Sequence, residues 1–69
     1  MKKIKIKVNG KNRSFSETCK LSDLIKHLKI PLKKVAIELN QEIIDKKNIS
    51  KISLKKDDKI EIVHFIGGG

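Results

Sequence analysis

An α+β fold, with one helix laid on one face of a small sheet, follows from three observations. Sixty-nine residues make one domain, and a chain that short buries only about 60% of its unfolded surface. Ile4, Ile6 and Val8 alternate with lysines at the start, and Ile60 and Ile62 alternate with Glu61 and Val63 near the end. Both are period-two patterns of strands with one dry and one wet face. Between them, Leu21, Leu24, Ile25 and Leu28 fall at i, i+3, i+4 and i+7, a helical stripe.

The elements can be justified in order. The first strand carries Lys3, Lys5 and Lys7 on its wet face and meets Asn9-Gly10, a hairpin signal because both turn residues must take φ > 0. The return strand runs from Lys11 to about Phe15, and Ser16 to Cys19 read as a loop. The helix start is poorly marked. Lys20 stands where a capping Ser or Thr is favoured, which leaves Thr18 or Ser22 as caps. Pro31 bars the helix from passing Ile30. Alone, so short a helix is marginal, so it must dock on the sheet. Val35, Ile37 and Leu39 mark a third strand, Asn40-Gln41 a turn, and Glu42 to Ile44 a short return strand. Residues 45–51 are polar around Ile49 and read as irregular or 3₁₀. Ile52 and Leu54 lead to a turn at Lys56-Asp57-Asp58, and Lys59 to Phe65 is the last strand. The helix thus connects strands two and three and covers one sheet face. The expected core is Ile4, Ile6, Val8, Leu21, Leu24, Ile25, Leu28, Val35, Ile37, Leu39, Ile60 and Ile62.

Composition excludes several function classes. Cys19 is the single cysteine, so neither an internal disulfide nor a cysteine-rich metal site is available. No apolar run approaches the ~20 residues of a membrane span, and the start lacks a signal-peptide core. A soluble, cytoplasmic protein is expected. The formal charge is +9, from 17 basic and 8 acidic side chains, and Arg13 is the only arginine. Nucleic-acid readers usually add arginine forks and stacking aromatics; here Trp and Tyr are absent and Phe15 and Phe65 stand alone. The lysines therefore read as a solubilising surface, with steering of an acidic partner as the functional alternative.

Enzyme constellations are missing. No Gly-rich loop joins a strand to a helix, so there is no phosphate cradle. His27 and His64 lack further ligands at metal spacing, and they read as a surface and an edge histidine. Cys19 precedes the helix, which makes a mildly lowered pKa conceivable, but a structural thiol is the plainer reading. Asp57-Asp58 fit a turn. Val63 and Phe65 fall opposite Ile60 and Ile62, on the uncovered sheet face, and with Ile66 form a candidate docking patch. The bland alternative folds Phe65 over the sheet edge.

The sequence closes on Ile66-Gly67-Gly68-Gly69. Two final glycines arise by chance in roughly one chain in 200. A carboxylate on a stem without side chains can enter an active site where a Cβ would clash. The competing readings are a frayed end or a cloning remnant. The expected division is a folded domain over residues 1–66 and a glycine tail over 67–69.

The segment from Val35 through Asn40 to Ile44, the close from Asp58 to Gly69, Val8-Asn9-Gly10-Lys11 and the Leu21 to Leu28 helix together resemble the sulfur carriers of thiamine biosynthesis, the ThiS family. The resemblance covers essentially the whole chain, and Gly68-Gly69 is its most specific motif. It departs at Lys20, where Ser or Thr is usual, and in its abundance of lysine. The resemblance implies a ubiquitin-like β-grasp fold with a mixed four- to five-stranded sheet and one helix. It also implies that an ATP-dependent adenylating enzyme, itself ubiquitin-activating-like and using Mg²⁺, activates Gly69. A persulfide sulfur donor then converts Gly69 to a thiocarboxylate, which thiazole synthase uses. No cofactor of the chain's own is implied, and neither nucleic acid nor membrane is an expected partner. Three alternatives stay open: a molybdopterin-type sulfur carrier, a ubiquitin-like protein modifier, and a small basic nucleic-acid-binding β-grasp module.

Overall fold

The computed structural model describes residues 2–65. Strands β1 (Lys3–Val8), β2 (Lys11–Ser16), β3 (Val35–Leu39), β4 (Glu42–Ile43) and β5 (Lys59–His64) form one sheet in the order β2-β1-β5-β3-β4. The first and last strands pair in parallel at its centre, and the other pairings are antiparallel. Helix α1 (Leu21–His27) links β2 to β3, and two 3₁₀ segments, Leu32–Lys34 and Lys46–Lys51, fill the remaining connections. Element order and both hairpins are as the sequence predicts. Both hairpin turns place two residues at positive φ, Asn9 (51°) with Gly10 (82°) and Asn40 (51°) with Gln41 (72°), the geometry that matches the twist of the flanking strands.

The helix start differs from the expectation, and its end falls before Ile30 as expected. Neither Thr18 nor Ser22 caps it. Thr18 instead shares a 2.9 Å hydrogen bond with the Ser16 hydroxyl, and Lys20 occupies the cap position. A lysine ammonium cannot accept a hydrogen bond, so the helix is closed from inside: the Asp23 carboxylate accepts the Lys20 N–H at 2.9 Å. At the other end Lys29 turns left-handed (φ 55°). Ile30 N–H donates to the Ile25 carbonyl and Lys29 N–H to the Lys26 carbonyl, both at 3.1 Å. This is a Schellman close, reached before Pro31 forces a stop.

Ile6, Leu21, Leu24, Val35, Ile37 and Ile60 are essentially inaccessible, and Val8, Ile25 and Ile62 join them. Ile4, Leu28 and Leu39 are half-buried against this core. Cys19 and Leu54 belong to it too. A bridge between Lys20 and Ser53, flanked by Leu21 N–H to the Ile52 carbonyl and Leu54 N–H to the Cys19 carbonyl, draws both inward. Among the described residues no helix is long and apolar enough to cross a membrane.

Candidate functional site

β5 leads to the terminal segment, so whatever fixes β5 fixes where that segment departs. Two turn asparagines grip it. Asn9 Oδ1 accepts the Ile62 N–H at 2.7 Å and Asn9 Nδ2 donates to the Ile62 carbonyl at 3.3 Å. The side chain thereby continues the parallel β1–β5 ladder beyond the last backbone pair, Val8 with Ile60. Asn40 Oδ1 accepts the Lys59 N–H at 2.9 Å, and Asn40 Nδ2 donates to Asp58 at 3.0 Å. The other Asp58 oxygen accepts the Lys55 N–H at 2.8 Å, so this carboxylate is a turn device, as the sequence suggests. Beyond His64, the Phe65 N–H still donates to the Lys34 carbonyl at 2.8 Å.

The uncovered sheet face is laid out in bands. Paired residues in a sheet share a face, and the register aligns Lys7 with Lys59, Glu38 with Glu61 and with Ile43, and Ala36 with Val63. Along β5 the open face thus runs from Lys59 beside Lys7, through Glu61 beside Glu38, to Val63 beside Ala36, with Ile43 next to Glu38 on β4. Among the described residues the exposed large hydrophobics are Ile43, Val63 and Phe65, at 79%, 53% and 55%. Val63 and Phe65 are exposed as the sequence reading required. The Lys46 ammonium stands 5.4 Å from the Phe65 ring centre, a cation–π distance. Ile43 was not anticipated. Its signal was present: Ile43 and Ile44 are adjacent in one strand, so only one can face the core. Ile66, Gly67, Gly68 and Gly69 lie outside the described residues.

The remaining candidates are structural. Cys19 is buried, and its thiol is raised above the ordinary value of 9.0, first by burial and then by the Asp23 charge. This agrees with the reading of Cys19 as a structural thiol and overturns the alternative of a lowered pKa. The helix is short, and the charge that acts on the thiol is the Asp23 carboxylate. His27 is exposed on α1 and meets the Phe15 ring edge-on at 5.9 Å. No cluster of three or more metal-ligating side chains occurs among the described residues.

A mixed five-stranded sheet with this strand order, one helix on its inner face and β5 at its centre defines a ubiquitin-like β-grasp module. The ThiS family model matches residues 6–69, and the chain belongs to that family. It is 38% identical over 65 residues to the sulfur carrier protein ThiS of Bacillus subtilis, covering 93% of this chain and 98% of that one. It is 39% identical over 66 residues to a thiazole synthase of Paramagnetospirillum magneticum, covering 96% of this chain. The chain spans only 20% of that protein's length. The crystal structure of the thiamine biosynthesis protein ThiS from Geobacter metallireducens superposes with a TM-score of 0.83 at 29% identity, over 96% of this chain and 100% of the other.

Proposed function

We propose that this chain is a sulfur carrier in thiamine biosynthesis, with the Gly69 carboxylate as its working group. The observation that carries the reading is a family match that runs through the terminal glycines, residues 6–69, together with near-complete coverage of a sulfur carrier of the same length class. A free carboxylate is a poor electrophile. An ATP-dependent adenylating partner would join it to AMP and release pyrophosphate. The terminal sulfur of a persulfide would then attack the acyl carbon and expel AMP. A partner thiol that cleaves the resulting S–S bond would leave the thiocarboxylate on Gly69. Thiazole synthase is the recipient in this scheme. Support comes from thiazole synthases in which a stretch matching 96% of this chain makes up 20% of the protein.

The chain's own contributions in this reading are few. Gly69 supplies the acyl group. Gly67 and Gly68 form a stem slim enough to thread a narrow site, since no Cβ widens it. Val63, Phe65 and Ile66, extended by Ile43, provide a docking patch beside the stem. Nucleotide, Mg²⁺ and any catalytic cysteine belong to the partner. Reversible adenylation makes a direct test: ATP–pyrophosphate exchange by the activating enzyme should depend on this chain and vanish when Gly68-Gly69 is deleted. Exchange that persists with the deleted chain rejects the proposal.

A further inference from the structure

The side of the sheet facing the helix carries a second feature that the tail chemistry leaves unused. A cleft of about 280 Å³ opens there between the β1–β2 hairpin, β5 and the chain that leaves the helix. It exists because α1 spans only seven residues and its Schellman turn ends the cover before the sheet ends. Val8, Ile30 and Ile62 form an apolar floor, and Lys11, Arg13 and His64 stand around it. Among the described residues no carboxylate lines the cleft.

The charge pattern of β2 is reversed relative to its neighbour. On β1 the lysines face outward and Ile4, Ile6 and Val8 face the helix. On β2 the register sets Lys11 opposite Val8 and Arg13 opposite Ile6, so both cations lie on the helix side. The open-face positions of that strand are the uncharged Asn12, Ser14 and Ser16. Arg13 is the only arginine in the chain, and arginine differs from lysine in presenting a planar fork that matches a carboxylate. β2 is an edge strand, and inward-pointing charges do blunt edges against aggregation. That role needs a cation on the strand; it does not need an apolar floor between three donors.

The geometry points to a second docking site: a groove for a short acidic segment of a protein partner, with an aliphatic side chain seated on Val8, Ile30 and Ile62 and flanking carboxylates met by Arg13, Lys11 and the His64 ring N–H. An acidic peptide fits better than nucleic acid because, among the described residues, no Phe, Tyr or Trp lines the cleft and the His64 imidazole is the single ring there, too little for successive base stacking. His64 is the last residue of β5, so a segment held here sits beside the end of that strand, on the face opposite Val63. A partner could grip both faces of the sheet, and this site stands whether or not the sulfur chemistry does.

The test is a titration of the ¹⁵N-labelled full chain with a blocked (Glu-Leu)₃ peptide at low salt, against (Gln-Leu)₃ and a single-stranded DNA oligonucleotide. Saturable shifts should appear at Val8, Arg13, Ile30 and His64 with the acidic peptide. Arg13→Gln should weaken it roughly fivefold, the upper end for one exposed ion pair, and Lys11→Gln should act in the same direction. Five results would overturn the site: no saturable shift, shifts spread over the lysine surface or the Val63 face, equal binding of the Gln peptide, displacement of the peptide by the oligonucleotide in the cleft, or an Arg13→Gln variant that binds normally and only self-associates. The last would assign Arg13 to edge protection alone.

Discussion

Replacing Asn9 with glycine removes the side chain that clasps Ile62 while leaving the left-handed turn (φ 51°) unstrained. Two hydrogen bonds are lost, one short at 2.7 Å and one long at 3.3 Å. Each contributes about 0.5–1.5 kcal/mol, the longer one at the low end. A glycine also adds roughly 0.4–1 kcal/mol through the freedom of the unfolded chain. The expected loss is therefore roughly 1.5–3 kcal/mol. That is large for a chain of this size, whose total is about 3–10 kcal/mol. Asn9→Ala should lose about 1 kcal/mol more, because an L side chain without a local polar group is disfavoured at positive φ. Urea unfolding of the three proteins measures both differences, with an unchanged m-value showing that the same surface is exposed. Amide exchange at Ile62 should rise selectively in both variants. If Asn9→Gly unfolds at the wild-type midpoint and Ile62 keeps its protection, the side chain is not holding β5 and the reasoning fails.

Three further outcomes follow. Leu24→Ala and Ile37→Ala, at positions essentially without solvent access, should each cost ~2–5 kcal/mol in the same unfolding assay. Burial of the neutral Cys19 thiol raises its folded pKa above the ordinary 9.0, so its stabilising contribution is complete below that ordinary value and declines as pH rises through the folded value. Unfolding titrations at pH 7 and pH 10 should show that decline in the wild type and less of it in Cys19→Ala. Phe65→Ala, at a half-exposed position, should leave the melting temperature nearly unchanged and raise KM for the activating enzyme more than it lowers kcat.

Much of the fold is legible because its strands are half-buried. Where one face is wet, as in Lys3 to Val8, the alternation states which side chains enter the core. The short helix is legible for the same reason, through Leu21, Leu24 and Ile25. Cys19 and Leu54 escape such reading because they sit outside repeating structure, and a pair of backbone hydrogen bonds between their segments, not a period, brings them inward. The helix ends escape it too: Asp23 reaching back to Lys20, and Lys29 adopting positive φ, are choices that lysine and aspartate do not advertise. Asn9-Gly10 announces a turn, but the grip of Asn9 on Ile62 spans the sheet and has no local sign. Among the exposed apolar residues, Val63 and Phe65 could be placed from strand parity, while Ile43 required the β3–β4 register to be known.

The central claim is that sulfur rides on Gly69, and mass spectrometry of the intact chain tests it most directly. After incubation with ATP, the activating enzyme and a persulfide donor, the chain should exchange one oxygen for sulfur, with fragmentation placing the change at Gly69. Gly68→Ala should slow the exchange strongly, since a misplaced acyl group can cost ~100-fold in rate, and deletion of Gly68-Gly69 should abolish it. Sulfur appearing on the deleted chain, or on Cys19 in place of Gly69, would contradict the account.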